Sequence, residues 1–170
     1  RFFKNFKKIG STNILRKRKN IITVAIDSPA AAGAGTQSLL IAKHYNLFYL
    51  NTRKIYSYIC NLKLKNKKKF SYYFVKRKVK NLKISYLKNQ KLLSNEVAIA
   101  ASKIAKDKKI RDIVHKFQKK CAYQPPQRYN GSVLDGRDII TVQMKDAMFK
   151  FYITASVKTR ARRRFEEYKN

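Results

Sequence analysis

Acidic residues are scarce in this chain. Its 170 residues include 9 Asp and Glu against 41 Lys and Arg, a formal charge of +32. Such an excess repels itself in a compact state unless a polyanion neutralises it. Nucleic acid is the first candidate, because basic side chains release counterions from phosphates; an anionic membrane surface is the second. Tryptophan is absent and only two cysteines occur, Cys60 and Cys121. They lie far apart and lack metal-site spacing, so they are read as reduced thiols rather than ligands or a disulfide framework. The two histidines, His44 and His115, fall in helical stretches and are read as packing or surface residues. No run approaches the roughly 18 apolar residues of a membrane-spanning helix. What is present suffices for one domain with a core: 44% hydrophobic residues over this length. Lys, Asn, Ile, Tyr and Phe are abundant, a bias that an AT-rich genome produces.

The most informative segment is 27–36, Asp-Ser-Pro-Ala-Ala-Ala-Gly-Ala-Gly-Thr. It follows a run of strand formers at 21–26 and precedes a helical pattern to about Tyr45. That is the setting of a phosphate-binding loop, G-x-x-x-x-G-K-S/T, whose backbone N–H groups cradle phosphates while its lysine reaches the β- and γ-phosphates. Ser28 and Pro29 open the loop, with Ser28 where the first glycine belongs. Gly33, Gly35 and Thr36 keep the pattern. Ala34 stands where the lysine belongs.

Further along, a strand is expected at 48–51 and a helix from an N-cap at Thr52 to about Leu62. The stretch 63–91 carries many lysines and no acid, interrupted by Tyr72, Tyr73, Phe74 and Tyr86. Its portion 70–79 has strand composition. Basic residues mixed with aromatics suit RNA, where rings stack on bases; a solvated face with a few packed rings is the alternative. Residues 94–118 read as helical, 124–127 as a stiff Pro-Pro connector, and 132–134 as a short buried strand ending at Asp135-Gly136-Arg137-Asp138. A strand at 149–154 precedes a helix at 157–168 capped by Ser156. Strands alternating with helices argue an α/β domain with a parallel sheet.

Taken together, the blocks at 26–36, 49–56, 96–105, 110–118, 133–142, 150–156 and 160–165 come in the order of one family. The chain resembles bacterial-type cytidylate kinase, a P-loop nucleoside monophosphate kinase. Val-Leu-Asp-Gly-Arg-Asp-Ile-Ile-Thr-Val at 133–142 carries the resemblance most strongly. The resemblance implies a P-loop NTPase-type parallel sheet of five strands flanked by helices, a small CMP-binding insertion and an arginine-bearing lid. It also implies ATP- and magnesium-dependent phosphorylation of CMP or dCMP. On the matching positions, Arg137 and Asp138 would hold the sugar and phosphate region of CMP, Ser102 and Arg111 would contact it, and Tyr56 matches a tyrosine of the second block. Asp135 would end a core strand beside the nucleotide.

The departures fall on substrate groups: Ser28, Ala34, and, in the second block, Asn51 for aspartate, Arg53 for glycine and Ser57 for arginine. The insertion is expected to be reduced and rewritten as 63–91, and the sequence stops where the lid should follow. Lys43 and Lys54 are near in sequence but share no loop geometry. Because one lost transition-state cation costs about 10³-fold in rate, these losses predict an inactive pseudoenzyme. The expectation is therefore a structural RNA-binding protein, specifically a mitochondrial ribosomal protein, bound to ribosomal RNA and neighbouring ribosomal proteins. It would have no cofactor and no small-molecule substrate. The alternatives are a CMP/dCMP kinase using ATP, a nucleotide-binding pseudokinase, and a cytoplasmic location in an AT-rich bacterium. Domain boundaries follow: a basic arm at 1–20, left by a presequence or lying on RNA, and a kinase-like domain at 21–170. The expected RNA contacts are Lys4, Lys7, Lys8, Arg16, Lys17, Arg18 and Lys19 in the arm, Lys67, Lys68, Lys69, Lys76, Arg77 and Lys78 in the rewritten stretch, and Arg162, Arg163 and Arg164 in the last helix.

Overall fold

A computed structural model describes residues 21–88 and 95–169. The basic arm, and Ser94 as the start of the middle helix, lie outside the described residues. Four parallel strands form one sheet in the order β2-β3-β1-β4: β1 (Ile22–Asp27), β2 (Phe48–Asn51), β3 (Gly131–Gly136) and β4 (Phe149–Tyr152). The resemblance implied five strands; four are present among the described residues. Helices α1 (Ala34–Tyr45), α2 (Arg53–Lys65), α3 (Tyr72–Lys80), α4 (Asn95–Ile104), α5 (Lys108–Tyr123) and α6 (Val157–Lys169) complete the α/β architecture.

The sheet is covered on two faces, so its central strands are apolar at successive positions rather than alternating. Val24, Ile26 and Val133 pack with Ala34, Ala42 and Leu47 on the α1 side. Ala25, Leu50 and Leu134 face a larger core formed with Ile55, Ile59, Val75, Val79, Ile110 and Val114. No helix among the described residues is long and apolar enough to cross a membrane. Cys60 and Cys121 are free thiols, as expected. Burial holds both in the protonated form, with Cys121 pushed up to about 12.

The stretch 70–79 is not a strand. Ser71 caps α3 by accepting the N–H of Phe74 at 3.2 Å, and Phe74, Val75 and Val79 bury one face while Lys76, Arg77 and Lys78 stay exposed. Aromatic and β-branched composition suggested a strand, but the cap and the helical spacing of the apolar residues decide the outcome. The expected helix at 94–118 is two helices. The chain turns at 105–107, and Asp107 caps α5 through the N–H of Ile110 at 3.1 Å. The Asp107 carboxyl is held below its usual range, first by that bond and further by the Tyr72 hydroxyl. Thr52 occupies the N-cap position of α2 but caps nothing with its side chain; its hydroxyl donates instead to the Asp135 carbonyl at 2.7 Å.

Candidate functional site

The parallel strands end at the same edge of the sheet, and residues at or next to the ends of β1 and β3 carry the candidate chemistry. In parallel α/β sheets, ligands bind at this carboxyl end. β1 ends at Asp27 and leads into the phosphate-loop segment. The loop delivers the chain into α1 through Gly33, at φ 95°. No side chain caps α1, so its first N–H groups point into the loop with the positive end of the helix dipole behind them. Ser28 does not strain the turn: it is absent from the positive-φ positions among the described residues and donates its N–H to the Gly136 carbonyl at 3.1 Å. The strain sits at Ala31, a non-glycine residue at φ 58°. Left-handed backbone costs an L-residue about 1–2 kcal/mol, part of which glycine returns through its larger unfolded entropy. Ala31→Gly should therefore stabilise the fold by about 0.5–1 kcal/mol, seen as a rise in the thermal midpoint of roughly 1–4 °C; a fall would show that the loop needs the methyl group.

Asp135 is the penultimate residue of β3, a strand buried along its whole length. One carboxylate oxygen accepts the Tyr49 hydroxyl at 2.8 Å, and the other, Oδ1, is buried without a partner in the described structure. Its Oδ2 lies 3.7 Å from where a Cβ on Gly35 would sit, so the carboxylate stands directly under the loop. Burial pushes the Asp135 carboxyl above its usual range, opposed by the Tyr49 hydroxyl and by the charges of Arg53 and Lys54. The same burial and the adjacent carboxylate push the Tyr49 hydroxyl well up, so it remains a donor. A carboxyl raised on folding binds more protons native than unfolded. Its charged form thus costs stability above the folded pKa, and that cost fades as pH falls through it. Asp135→Asn should raise the thermal midpoint at neutral pH by a few degrees and narrow the gap on acidification; equal midpoints at all pH values would sink this account.

Beyond Gly136, Arg137 and Asp138 are both exposed, and neither takes part in an ion pair among the described residues. A buried ion pair at the strand end is thereby excluded, leaving both side chains turned to solvent at the sheet edge. The Asp27 carboxylate accepts the N–H groups of Ile139 at 2.7 Å and Ile140 at 3.1 Å. It anchors the single π turn Ile139–Gln143 that follows them.

The structure brings Tyr56, Arg111 and Asp138 into one electrostatic neighbourhood. Burial is the main cause raising the Tyr56 hydroxyl, with Arg111 lowering it and Asp138 raising it further. Arg111 donates through Nε and Nη2 to the Ala105 carbonyl at 3.1 and 2.8 Å, which holds it over the α4–α5 turn. Ser102 is exposed and its hydroxyl donates to the Ile99 carbonyl at 2.7 Å. His115 belongs to the same neighbourhood, its pKa lowered chiefly by burial and then by Arg111. Sequence reasoning placed His115 in packing or on the surface. It also missed Tyr49 and Asp27, whose roles arise from neighbours 86 and 112 residues away. Lys43 lies on the last turn of α1, away from the loop, whereas Lys54 acts on Asp135.

A magnesium-bound nucleoside triphosphate fits what is here. The uncapped N–H groups of 34–36 suit phosphate oxygens, and the orphaned Asp135 Oδ1 with the Thr36 hydroxyl is a hard-oxygen donor set suited to magnesium. The described basic residues read as RNA contacts lie on three separate elements. Lys67, Lys68 and Lys69 make a short exposed turn, Lys76, Arg77 and Lys78 cover the outer face of α3, and Arg162 and Arg164 pair with Glu166 and Glu167 at 3.8 and 2.7 Å. The arm lysines and arginines lie outside the described residues.

A family model described as cytidylate kinase matches residues 24–170. A protein named cytidylate kinase from Bartonella tribocorum (strain CIP 105476 / IBS 506) is 41% identical over 150 residues, 85% of this chain and 66% of the relative. One of the same name from Bradyrhizobium sp. (strain ORS 278) is 39% identical over 147 residues, 83% of this chain and 65% of its own. One from Clostridium botulinum (strain Hall / ATCC 3502 / NCTC 13319 / Type A) is 34% identical over 159 residues, 87% and 71%. The chain spans about two thirds of the length of such relatives. These matches overturn the expected ribosomal pseudoenzyme, together with its mitochondrial placement, its RNA and ribosomal-protein partners and its lack of cofactor and small-molecule substrate. The relatives are named as kinases, and the family model's match spans the loop, the Asp135–Asp138 segment and α6 alike. In α3 the charge lies on the solvent face of a helix whose other face is ordinary core.

Proposed function

The chain belongs to the cytidylate kinase family, and on that premise we propose that it transfers the γ-phosphoryl group of ATP to CMP or dCMP, with magnesium. The observation that carries the reading is the convergence at one sheet edge of an uncapped helix N-terminus, a buried carboxylate with an unpartnered oxygen, and an exposed Arg137–Asp138 pair. Magnesium, held by Asp135 and Thr36, would neutralise charge on the triphosphate oxygens. The remaining work belongs to the chain. Backbone N–H groups at Gly33, Ala34, Gly35 and Thr36 bind the ATP phosphates, with Ser28 and Pro29 shaping the entry to the loop. Arg137 grips the CMP phosphate, which places its oxygen in line with the γ-phosphorus. Asp138 accepts from the CMP sugar hydroxyls, and Tyr56, Ser102 and Arg111 line the base side. Little covalent chemistry is asked of the protein, so orientation and charge carry the rate.

The basic 63–91 stretch, packed through α3, takes the place of the substrate-covering insertion. The bacterial relatives support a cytoplasmic setting. A coupled assay for ADP with Mg·ATP and CMP tests the reading directly. Turnover with CMP or dCMP, and little with AMP or UMP, is the expected result; the absence of turnover with any nucleoside monophosphate would end it.

A further inference from the structure

Asp135 is held by more than its own strand. Tyr49 on β2 donates its hydroxyl to Asp135 Oδ2 at 2.8 Å. The same hydroxyl oxygen accepts from the side-chain amide of Asn51. Strand register brings the three residues together. Asn51 pairs with Asp135 across β2 and β3, and Tyr49 lies two positions back along β2, so all three side chains stand on one face of the sheet. That face is the α1 side, where the Tyr49 ring packs against the cluster of Val24, Ile26 and Val133. Over this hydrogen-bond chain lies the first turn of α1. A Cβ on Gly35 would sit 3.6 Å from the Tyr49 hydroxyl oxygen and 3.7 Å from Asp135 Oδ2. The chain of bonds uses one carboxylate oxygen of Asp135 and the amide nitrogen of Asn51. It leaves over Asp135 Oδ1 and Asn51 Oδ1, both buried and both without a partner among the described residues. A buried oxygen with no donor is costly to keep. Two of them, on register partners at the carboxyl end of the sheet, have one explanation in common: a ligand that both oxygens serve.

We propose that Tyr49 is a positioning residue of the transfer reaction: its hydroxyl fixes the Asp135 carboxylate and the Asn51 amide so that one oxygen of each is kept for the magnesium ion of the bound triphosphate and its water shell. This rests on the kinase reading above. Tyr49 acts through Asp135 and Asn51 and not on either nucleotide. The terminal torsion of an aspartate is broad and roughly two-fold, so an untethered carboxylate would turn either oxygen to the site. One short hydrogen bond to a ring locked by packing removes that freedom before the metal arrives. Magnesium demands near-ideal geometry from its oxygen ligands, and partners behind a ligand set its orientation. A phenol suits the task because it donates to one neighbour while it accepts from the other. Asn51 suits it for the same reason. A carboxylate at that position has no N–H to give and would compete with Asp135 for the single phenol proton.

The test compares the full chain with Tyr49→Phe, Asp135→Asn, the double variant and Ser132→Ala. Tyr49→Phe keeps the ring and its packing. Ser132→Ala is the control. It removes another buried hydrogen bond of β3, from the Ser132 hydroxyl to the Ala122 carbonyl at 2.6 Å, toward the opposite end of the strand. Turnover is read by ADP release against magnesium concentration at fixed ATP, and Mn·ATP binding by the relaxation of water protons. Tyr49→Phe should raise the magnesium needed for half-maximal rate, and the Kd for Mn·ATP, by about 10–100-fold, with the KM for CMP unchanged. In the Asp135→Asn background it should weaken Mn·ATP by much less, because the two changes remove one shared interaction. Ser132→Ala should lower the thermal midpoint, as Tyr49→Phe does, and leave both metal readouts in place. An active chain whose magnesium dependence and Mn·ATP affinity ignore Tyr49→Phe overturns the role of Tyr49 and leaves the kinase reading intact. A chain without turnover that binds Mn·ATP, and binds it less well as Tyr49→Phe, ends the kinase reading but keeps Tyr49 as the residue that sets the metal ligands. Neither turnover nor binding ends both. A metal effect that Ser132→Ala reproduces, or that persists in full in the Asp135→Asn background, also overturns the proposal, because Tyr49 would then be only a brace between β2 and β3.

Discussion

Arg137→Ala should lower CMP phosphorylation by about 10²–10³-fold while leaving the fold as it is. The side chain is exposed and makes no ion pair among the described residues, so its removal strands no buried charge. On the proposed reading, what is lost is a cation aimed at the substrate phosphate, and one well-placed donor of this kind contributes about 3–4 kcal/mol to transition-state stabilisation. The thermal midpoint should move by less than about 2 °C, since surface changes away from packed or paired groups stay within about 0.5 kcal/mol. Steady-state kinetics with both nucleotides varied, beside a melting curve, checks both halves. A variant that melts early would make Arg137 a structural residue. A variant with full turnover would remove it from the site.

Gly136→Ala should have the largest effect on stability. A Cβ at this position would lie 2.5 Å from the Thr52 hydroxyl oxygen and 2.8 and 2.9 Å from two side-chain carbons of Ile139. None of these can yield freely. Thr52 and Ile139 are buried, the Thr52 hydroxyl bonds the Asp135 carbonyl, and the Ile139 backbone is tied to Asp27. Overpacking of this kind costs about 1–3 kcal/mol, to which the displaced Thr52 hydrogen bond adds about 1 kcal/mol. For a chain of this size the midpoint should fall by roughly 6–12 °C. Calorimetry of Gly136→Ala with and without Thr52→Ala, which removes the clashing hydroxyl, would separate the Thr52 contribution from that of Ile139. A shift under about 2 °C would mean that β3 can slide away from β2 at little cost.

Local pattern and long-range contact differed in how well the amino-acid sequence exposed them. The strand-loop-helix at 22–45 was legible because a run of Ile and Val, a Gly-rich turn and a helical pattern follow one another without interruption. Residues 132–134 were legible as a short buried strand, which the structure extends to Gly131–Gly136. The stretch at 70–79 was misread because Tyr72, Tyr73, Phe74 and Val75 favour strands taken one by one. The spacing that puts Phe74, Val75 and Val79 on one face emerges only once Ser71 is seen as a cap. The family resemblance and its residues at 135–138 were visible as a motif, and so was the loss of lysine at 34. The consequence drawn from that loss was wrong. Absence at one position was taken as absence of the charge, yet Arg163 reaches Ala31 from 132 residues away. No periodicity encodes that contact, because it depends on how α6 lies across the end of the sheet.

The Asp27 carboxylate has a consequence for the proposed transfer, which must bring two reactants together. Asp27 is the residue from which the phosphate loop departs, and its two oxygens hold the backbone immediately after Arg137 and Asp138. On the proposed reading, the donor's seat and the acceptor's grip hang from one side chain, like two jaws on a common pivot pin. Their gap is gauged by short hydrogen bonds inside the sheet edge, so the spacing between the two phosphates is set by the empty protein and not by whichever nucleotide arrives first.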